Sequence, residues 1–324
     1  MHWMRLAVSA ITAMCCAGAM AQGAAGFPSK PITIVLPFPP GASTDLEVRL
    51  YQEGLNAQMK NPVIVDYKAG ASGVIANSFV AKAAPDGHTL GFVSSSVTIL
   101  PAVRKDMPYD LVRDFAPVIL TTENVLVLLV TPSFPAQTFE QWVAYAKAKP
   151  GAVTWSTVGS GRGFHVGGEW LAGEMGIQLT MVHYKGGAQA ELDLMAGRIH
   201  TTPKQLAPSL PLIKAGKVRV LAILTGERSS LLPGVKTVAE MGAPNFAYPN
   251  WVGLVAPGGT PVAVVSRLNT ELAKTIKTPQ AMKRWETQGS VVVASTPEAF
   301  RKRIVAEIAV WGKVVKEKNI KEED

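Results

Sequence analysis

The sequence predicts an α/β protein made of two similar lobes. Three observations lead there: Val- and Ile-rich runs alternate with amphipathic stretches, the pattern restarts midway along the 324-residue chain, and both series carry glycine- and serine-rich loops where a strand hands over to a helix. Such alternation is the signature of parallel strands joined by crossover helices.

The elements follow in order. ITIVLPF is a strand, Asp45 to Gln58 a helix, PVIVDY a strand, Val74 to Ala83 a helix and HTLGFV a strand. VLVLLV, over residues 125–130, has the continuous apolar character of a strand buried on both faces. Thr138 is placed to cap a helix running to Lys149. The plan then repeats. VTWST ends in Gly159-Ser160-Gly161-Arg162-Gly163 and leads into FHVGGEWLAGEM, as ITIVLPF ends in PPGASTD and leads into its helix. TMVHYKGG leads into AQAELDLMAG, and Asp66-Tyr67-Lys68-Ala69-Gly70 is answered by His183-Tyr184-Lys185-Gly186-Gly187. Trp251 begins a further strand, and helices over Pro261 to Thr275 and Pro297 to Lys316 are expected to pack on the first lobe. The predicted boundaries are 22–126 with 249–324 for the first lobe and 127–248 for the second. The chain then crosses twice, which makes the connection a hinge.

Residues 1–21 stand apart. Arg5 precedes LAVSAITAMCCAGAM, and Ala19-Met20-Ala21 has the small-x-small form of a signal-peptidase site. The apolar core is shorter than the roughly 20 residues a membrane helix needs, so a cleavable secretory signal is expected, with the mature chain starting near Gln22. A lipoprotein anchor at Cys15 or Cys16 is the lesser alternative, because Thr12-Ala13-Met14 lacks the residues expected before such a cysteine. Both cysteines of the chain lie in this leader. The mature protein therefore relies on a packed core rather than disulfides, and a bacterial periplasm suits it. The net charge of +8 becomes +7 once Arg5 is removed. The excess is spread, densest around Arg301, Lys302 and Arg303, with no basic stripe interleaved with aromatics, so no nucleic-acid partner is expected.

The loops carry the chemistry. In the first, Ser43, Thr44 and Asp45 stand at a helix start, where free N–H groups and the positive end of the dipole hold a carboxylate or phosphate; a simple capping role for Thr44 or Asp45 is the alternative. The second repeats the device with more glycine and hence closer backbone approach. It is neither a dinucleotide fingerprint nor a Walker loop, and neither Ser160 nor Ser72 lies in a Gly-x-Ser-x-Gly elbow. Arg162 can clamp a carboxylate through two parallel bonds or point to solvent. His88, His165, His183 and His200 lack metal-ligand spacing. No catalytic residue, metal or cofactor is predicted; His165 either donates to a bound anion or bonds within its own lobe. Binding is favoured over catalysis.

At this point KPITIVLPFPPGASTD, VIVDYKAGASGVIANSFVAKAAPDGHTLGFV, MPYDLVRDFAPVIL, VGSGRGFHVGGEWLAGEMG, HYKGGAQAELDLMAGRI, LPLIKAGKVRVLAI and WVGLVAPGGTP together resemble the periplasmic solute receptors of the tripartite tricarboxylate transporter system, the TctC or Bug family. The match runs in order from about Phe27 to the C-terminal helix. It implies a type II periplasmic-binding-protein fold of two α/β lobes closing on a small organic anion. In such receptors, main-chain groups of matching loops hold a carboxylate. Carried over, the site comprises Phe38, Pro40, Gly41, Ala42, Ser43, Thr44 and Asp45, with Ala71 and Ser72, and with Ser94 and Ser95 nearby. The opposite jaw contributes Gly159, Ser160, His165, Tyr184, Lys185 and Gly186, and Arg162, Lys204 and Gln205 are added as candidates from this chain's own residues. The implied partners are the anion and membrane permease subunits or a sensor, and the receptor is expected to be monomeric and periplasmic.

Three departures bear on ligand identity. Gly41-Ala42 replaces the usual glycine pair, Arg162 replaces a small or polar residue, and Pro203-Lys204-Gln205 stands where the family commonly has Phe-Asp-Asn. If Lys204 faces the cleft, dicarboxylates or aromatic carboxylates are expected over zwitterions; a solvated Lys204 is the alternative. The competing functions are an exported hydrolase using the cleft and an orphan receptor without a transporter.

Overall fold

The computed structural model describes residues 26–41, 43–59 and 61–320. The expected leader, Ala42 and the last four residues lie outside them. Two sheets organise the chain. The first lobe begins with β1 (Ile32–Leu36), α1 (Ser43–Gln58), β2 (Val63–Tyr67), α2 (Val74–Ala81), β3 (Thr89–Ser94), the short α3 (Leu100–Val103) and β4 (Phe115–Asn124). The second holds β5 (Leu126–Val130), α4 (Phe139–Ala148), β6 (Val153–Thr157), α5 (Gly163–Met175), β7 (Leu179–His183), α6 (Gly187–Met195), β8 (Thr201–Gln205), α7 (Leu206–Lys214) and β9 (Arg219–Ile223). The chain returns through β10 (Trp251–Pro257), α8 (Val262–Ile276), α9 (Pro279–Gln288), β11 (Ser290–Val292) and α10 (Pro297–Glu317).

The first sheet has the order β11-β4-β10-β3-β1-β2 and the second β7-β6-β8-β5-β9. With β11 set aside the two orders are the same plan. In each, the strand that has just crossed from the other lobe is inserted fourth: β10 in the first, β5 in the second. Those strands run against their neighbours: β10 is antiparallel to β3 and β4, and β5 to β8 and β9. Both sheets are thus mixed, whereas the alternation of the sequence predicts parallel strands only. The parallel pairs β1–β2, β1–β3, β6–β7 and β6–β8 put the loops after β1, β2, β3, β6, β7 and β8 at one edge of each sheet, where open α/β sheets bind ligands.

Local signals account for the elements. Every residue of β5 and of β10 is buried, as strands covered on both faces require. Thr138 caps α4 by accepting the Gln141 N–H at 3.2 Å, and Gln141 reaches back to the Gln137 N–H at 2.7 Å, a variant of the capping box. Thr278 and Thr296 cap α9 and α10 in the same manner.

The C-terminal helix departs from the expectation that it serves the first lobe. Its first half does, with Phe300 and Ile304 packed into the cluster of Val35, Val93 and Trp251. Its second half joins the other core: Trp311, Val314 and Val315 pack with Trp142, Phe246 and Tyr248. Between the halves, buried Glu307 accepts from Trp251 Nε1 at 2.8 Å and Arg303 Nε at 2.5 Å, and Arg303 also pairs with Glu123 at 3.1 Å. Glu123 and Trp251 belong to the two crossings, so α10 is a third tie beside them. Its amphipathic pattern shows an apolar face but not that the face is shared between two cores.

Candidate functional site

The facing loop edges enclose a cavity of about 500 Å³, within the range of small-molecule sites. The first lobe supplies Pro37, Phe38 and Pro39 after β1, Ala69 to Gly73 after β2 without Ala71, and Ser94 to Val97 after β3. The second supplies Val158 and Gly161 to Phe164 after β6, and Tyr248 and Asn250 come from the returning crossing. Of the predicted site residues, Phe38, Ser72, Ser94, Ser95 and Arg162 form its wall.

Others shape the wall from behind. Asp45 lies in the first turn of α1, not at its cap, and its carboxylate accepts the Gly41 N–H at 2.9 Å and the Tyr67 hydroxyl at 2.7 Å, with Arg49 Nε at 3.3 Å. The Gly41 N–H, with Tyr67 and Arg49, holds this carboxyl below the usual range against the opposing effect of burial. A carboxylate committed to three donors fixes the loop, and Asp45 is not in the cavity wall. Pro40 and Gly41 are exposed at the turn beyond it, and Thr44 is half-buried with its hydroxyl unpartnered. Ser43 opens α1, and Ala42 lies outside the described residues.

The second loop is closed by the same device. The Gly161 N–H donates to His165 Nδ1 at 2.9 Å, and the His165 ring packs edge-on against His183 at 4.9 Å. His165 thus bonds within its own lobe. Gly159 lies under the Arg162 side chain, where a Cβ would meet Cδ at 3.0 Å. Tyr184 donates to Asp193 at 2.9 Å, and burial, with Asp193, pushes its hydroxyl up to about 12. Lys185, Gly186 and Gln205 are exposed, and Ser160 is half-buried; none of them is in the cavity wall.

Lys204 also stands outside the wall. Its ammonium pairs with Glu191 of α6 at 2.8 Å, both side chains about a quarter exposed at 23 and 28%. The reason given by sequence for a doubly charged ligand, a free cation at this position, is therefore absent, because Glu191 neutralises it.

Sequence reasoning overlooked much of the wall. Asn77 is 1% exposed, gives Nδ2 to the Tyr109 hydroxyl at 3.3 Å and leaves Oδ1 without a partner. Its signal is an amide, next to Ser78, in the otherwise apolar run VIANSFVA. Tyr248 is marked by the glycines it packs on. A Cβ at Gly167 would lie 2.0 Å from its ring and one at Gly163 2.5 Å from its hydroxyl; an interior helix glycine signals such an approach. Ile99, Leu100 and Phe164 read in sequence only as apolar residues.

The loop after β2 is strained. Gly70 and Gly73 have φ of 126° and 91°, and between them Ala71 and Ser72 hold φ of 46° and 54°. Non-glycine residues in the left-handed region cost of order 1–3 kcal/mol each and cluster at ligand clamps. Here the strain presents Ser72 to the cavity.

The charge of the wall is its plainest property. It contains one charged side chain, Arg162, and no aspartate, glutamate or histidine. Arg162 is exposed to the cleft and has no ion pair or hydrogen-bond partner among the described residues. The serines have no base within the wall, so they lack the partner a nucleophile requires.

Comparison with known proteins matches this geometry. Residues 48–320 match the family model described as the tripartite tricarboxylate transporter family receptor. Protein BugT of Bordetella pertussis is 33% identical over 297 residues, covering 91% of each chain. Among solved structures, a Rhodopseudomonas palustris protein, Rpa4515 with adipate, superposes with a TM-score of 0.73 at 32% identity, over 91% of this chain and 99% of its own. MatC of Rhodopseudomonas palustris with bound malate gives 0.71 at 29% identity, over 89 and 100%.

Proposed function

The chain belongs to the receptor family of the tripartite tricarboxylate transporters, a family of solute-binding proteins and not of enzymes, and from that premise we propose that it captures a small organic carboxylate between its lobes in the periplasm. One observation supports this most directly: a wall with a single unpaired arginine and no acid favours an anion and repels none. A guanidinium at the rim offers two parallel donors to a carboxylate, and the strained Ser72 and the Ser94–Ser96 hydroxyls complete its hydrogen bonding from the opposite lobe. The carboxylates bound in the adipate and malate complexes of its relatives support the same class.

The working cycle follows from the connections. The anion docks on one lobe, rotation about the crossings brings in the other, and the closed form is delivered to permease subunits or a sensor. A cleavable leader at residues 1–21 sends the chain to that compartment, where it acts as a monomer. Native mass spectrometry of the freshly purified protein, with small-angle scattering before and after added carboxylates, tests the reading. The expected result is a bound acid of low mass and a smaller radius of gyration on saturation. Retention of a cation or neutral solute, with no response to any carboxylate, would overturn it.

A further inference from the structure

The identity of the anion can be narrowed from the wall itself, and this inference rests on the carboxylate reading above. We infer that the cargo carries one carboxylate on a bulky apolar body, of the benzoate or phenylalkanoate class, in place of the dicarboxylates seen in the relatives. Two observations meet here. The cavity wall has one unpaired cation, Arg162: Lys204 is neutralised by Glu191, and both it and the exposed Lys185 stand outside the wall. Much of the remaining surface is apolar and comes from both lobes: Phe38, Val97 and Leu100 on one side, Val158, Phe164 and Tyr248 on the other, with the neutral polar groups of Ser72, Asn77, Ser94 to Ser96 and Asn250 between them.

The rings are held in place. Phe38 lies edge-on to Phe92 at 6.4 Å, and Phe164 packs on Tyr248 at 6.0 Å. Tyr248 is fixed against Gly163 and Gly167 and backed by Trp311 at 6.0 Å. These fixed faces are matched by ligand carbon, and the polar groups beside them are neutral. A second carboxylate laid against them would lose its hydration with no cation to replace it, and burial of an unpaired charge is among the costliest events in recognition. Hydroxyls of Ser94 to Ser96 soften that cost but add no charge. Discrimination therefore comes from what the site fails to satisfy in the competitor.

Matched acid pairs test this by calorimetry on the intact mature protein: hexanoate against adipate, benzoate against terephthalate, and 3-phenylpropionate alone. The monocarboxylate of each pair is expected to bind at least tenfold more tightly, with the ring compounds tightest. Arg162→Gln, at an exposed position, is expected to weaken the monocarboxylates tenfold or more with the melting temperature unchanged. Val158→Lys, which puts a second cation on the apolar wall at a half-buried loop position, is expected to bring the dicarboxylate level with its partner or ahead of it. Adipate or terephthalate binding as tightly as its partner overturns the single-carboxylate inference while leaving the receptor reading intact. Unchanged monocarboxylate affinity in Arg162→Gln also overturns it. Failure of every acid to bind sinks the carboxylate reading and this inference together.

Discussion

The two cleft loops are one device built with different chemistry. In both, the backbone N–H of a glycine donates to the side chain four residues later: Gly41 to Asp45 in the first lobe, Gly161 to His165 in the second. In both, that acceptor meets the last residue of the neighbouring strand. Tyr67 pairs in register with Leu36, and His183 with Thr157, so Asp45 with Tyr67 in one lobe corresponds to His165 with His183 in the other. The first acceptor is an anion with three donors, and the second is an imidazole whose acceptance requires a ring nitrogen free of its proton. The lesson is a division of labour: one loop fixed by a charged acceptor, and one whose glycine N–H is held by a neutral acceptor while its arginine pairs with no described residue. Charge-assisted bonds are roughly twice as strong as neutral ones.

That comparison can be broken at its strongest point. Asp45→Ala removes the common acceptor and leaves the Gly41 N–H and the Tyr67 hydroxyl without it; a loss of about 1–3 kcal/mol of stability is expected from urea denaturation. The matching change in the second jaw, His165→Ala, removes one neutral acceptor and is expected to cost about 0.5–1.5 kcal/mol. Its affinity loss for a carboxylate should exceed its stability loss, because the Gly159–Gly163 loop carries Arg162; equal costs for the two variants would deny the division of labour. Tyr67→Phe, which spares two of Asp45's three donors, is expected to fall at or below about 1 kcal/mol.

Acid sharpens the contrast further. The Asp45 carboxyl titrates below its ordinary value of 3.8 in the folded protein, so the folded state binds its proton less readily than the unfolded state. Its contribution is therefore complete above that ordinary value and is lost as pH falls through the lowered one. In Asp45→Asn this component of the acid-side decline is expected to vanish. Acid titrations of the two proteins, followed by circular dichroism, provide the check, and superimposable curves would exclude it.

Several parts of this molecule were legible in residues alone. The repeated strand, loop and helix disclosed the two lobes, Thr138 disclosed its helix start, and the glycine loops disclosed both jaws, because backbone conformation and capping are decided within a few residues. Reading failed where a side chain had to choose between distant partners. Lys204 depends on Glu191 of another element, the direction of β5 and β10 depends on which lobe the chain has just left, and Trp311 depends on a core centred on Trp142 and Phe246.

Sequence by itself determined the α/β plan, the loops at the cleft and the kinship that makes the chain a solute receptor, since these rest on local periodicity and ordered motifs. Tertiary structure alone decided the chemistry of the cleft: that Asp45 and His165 are spent on holding loops, that Lys204 is neutralised, and that Arg162 faces a largely apolar cavity without a partner. The physical reason is that a charge acts through whatever it meets, and what it meets is settled by contacts between residues far apart in the chain.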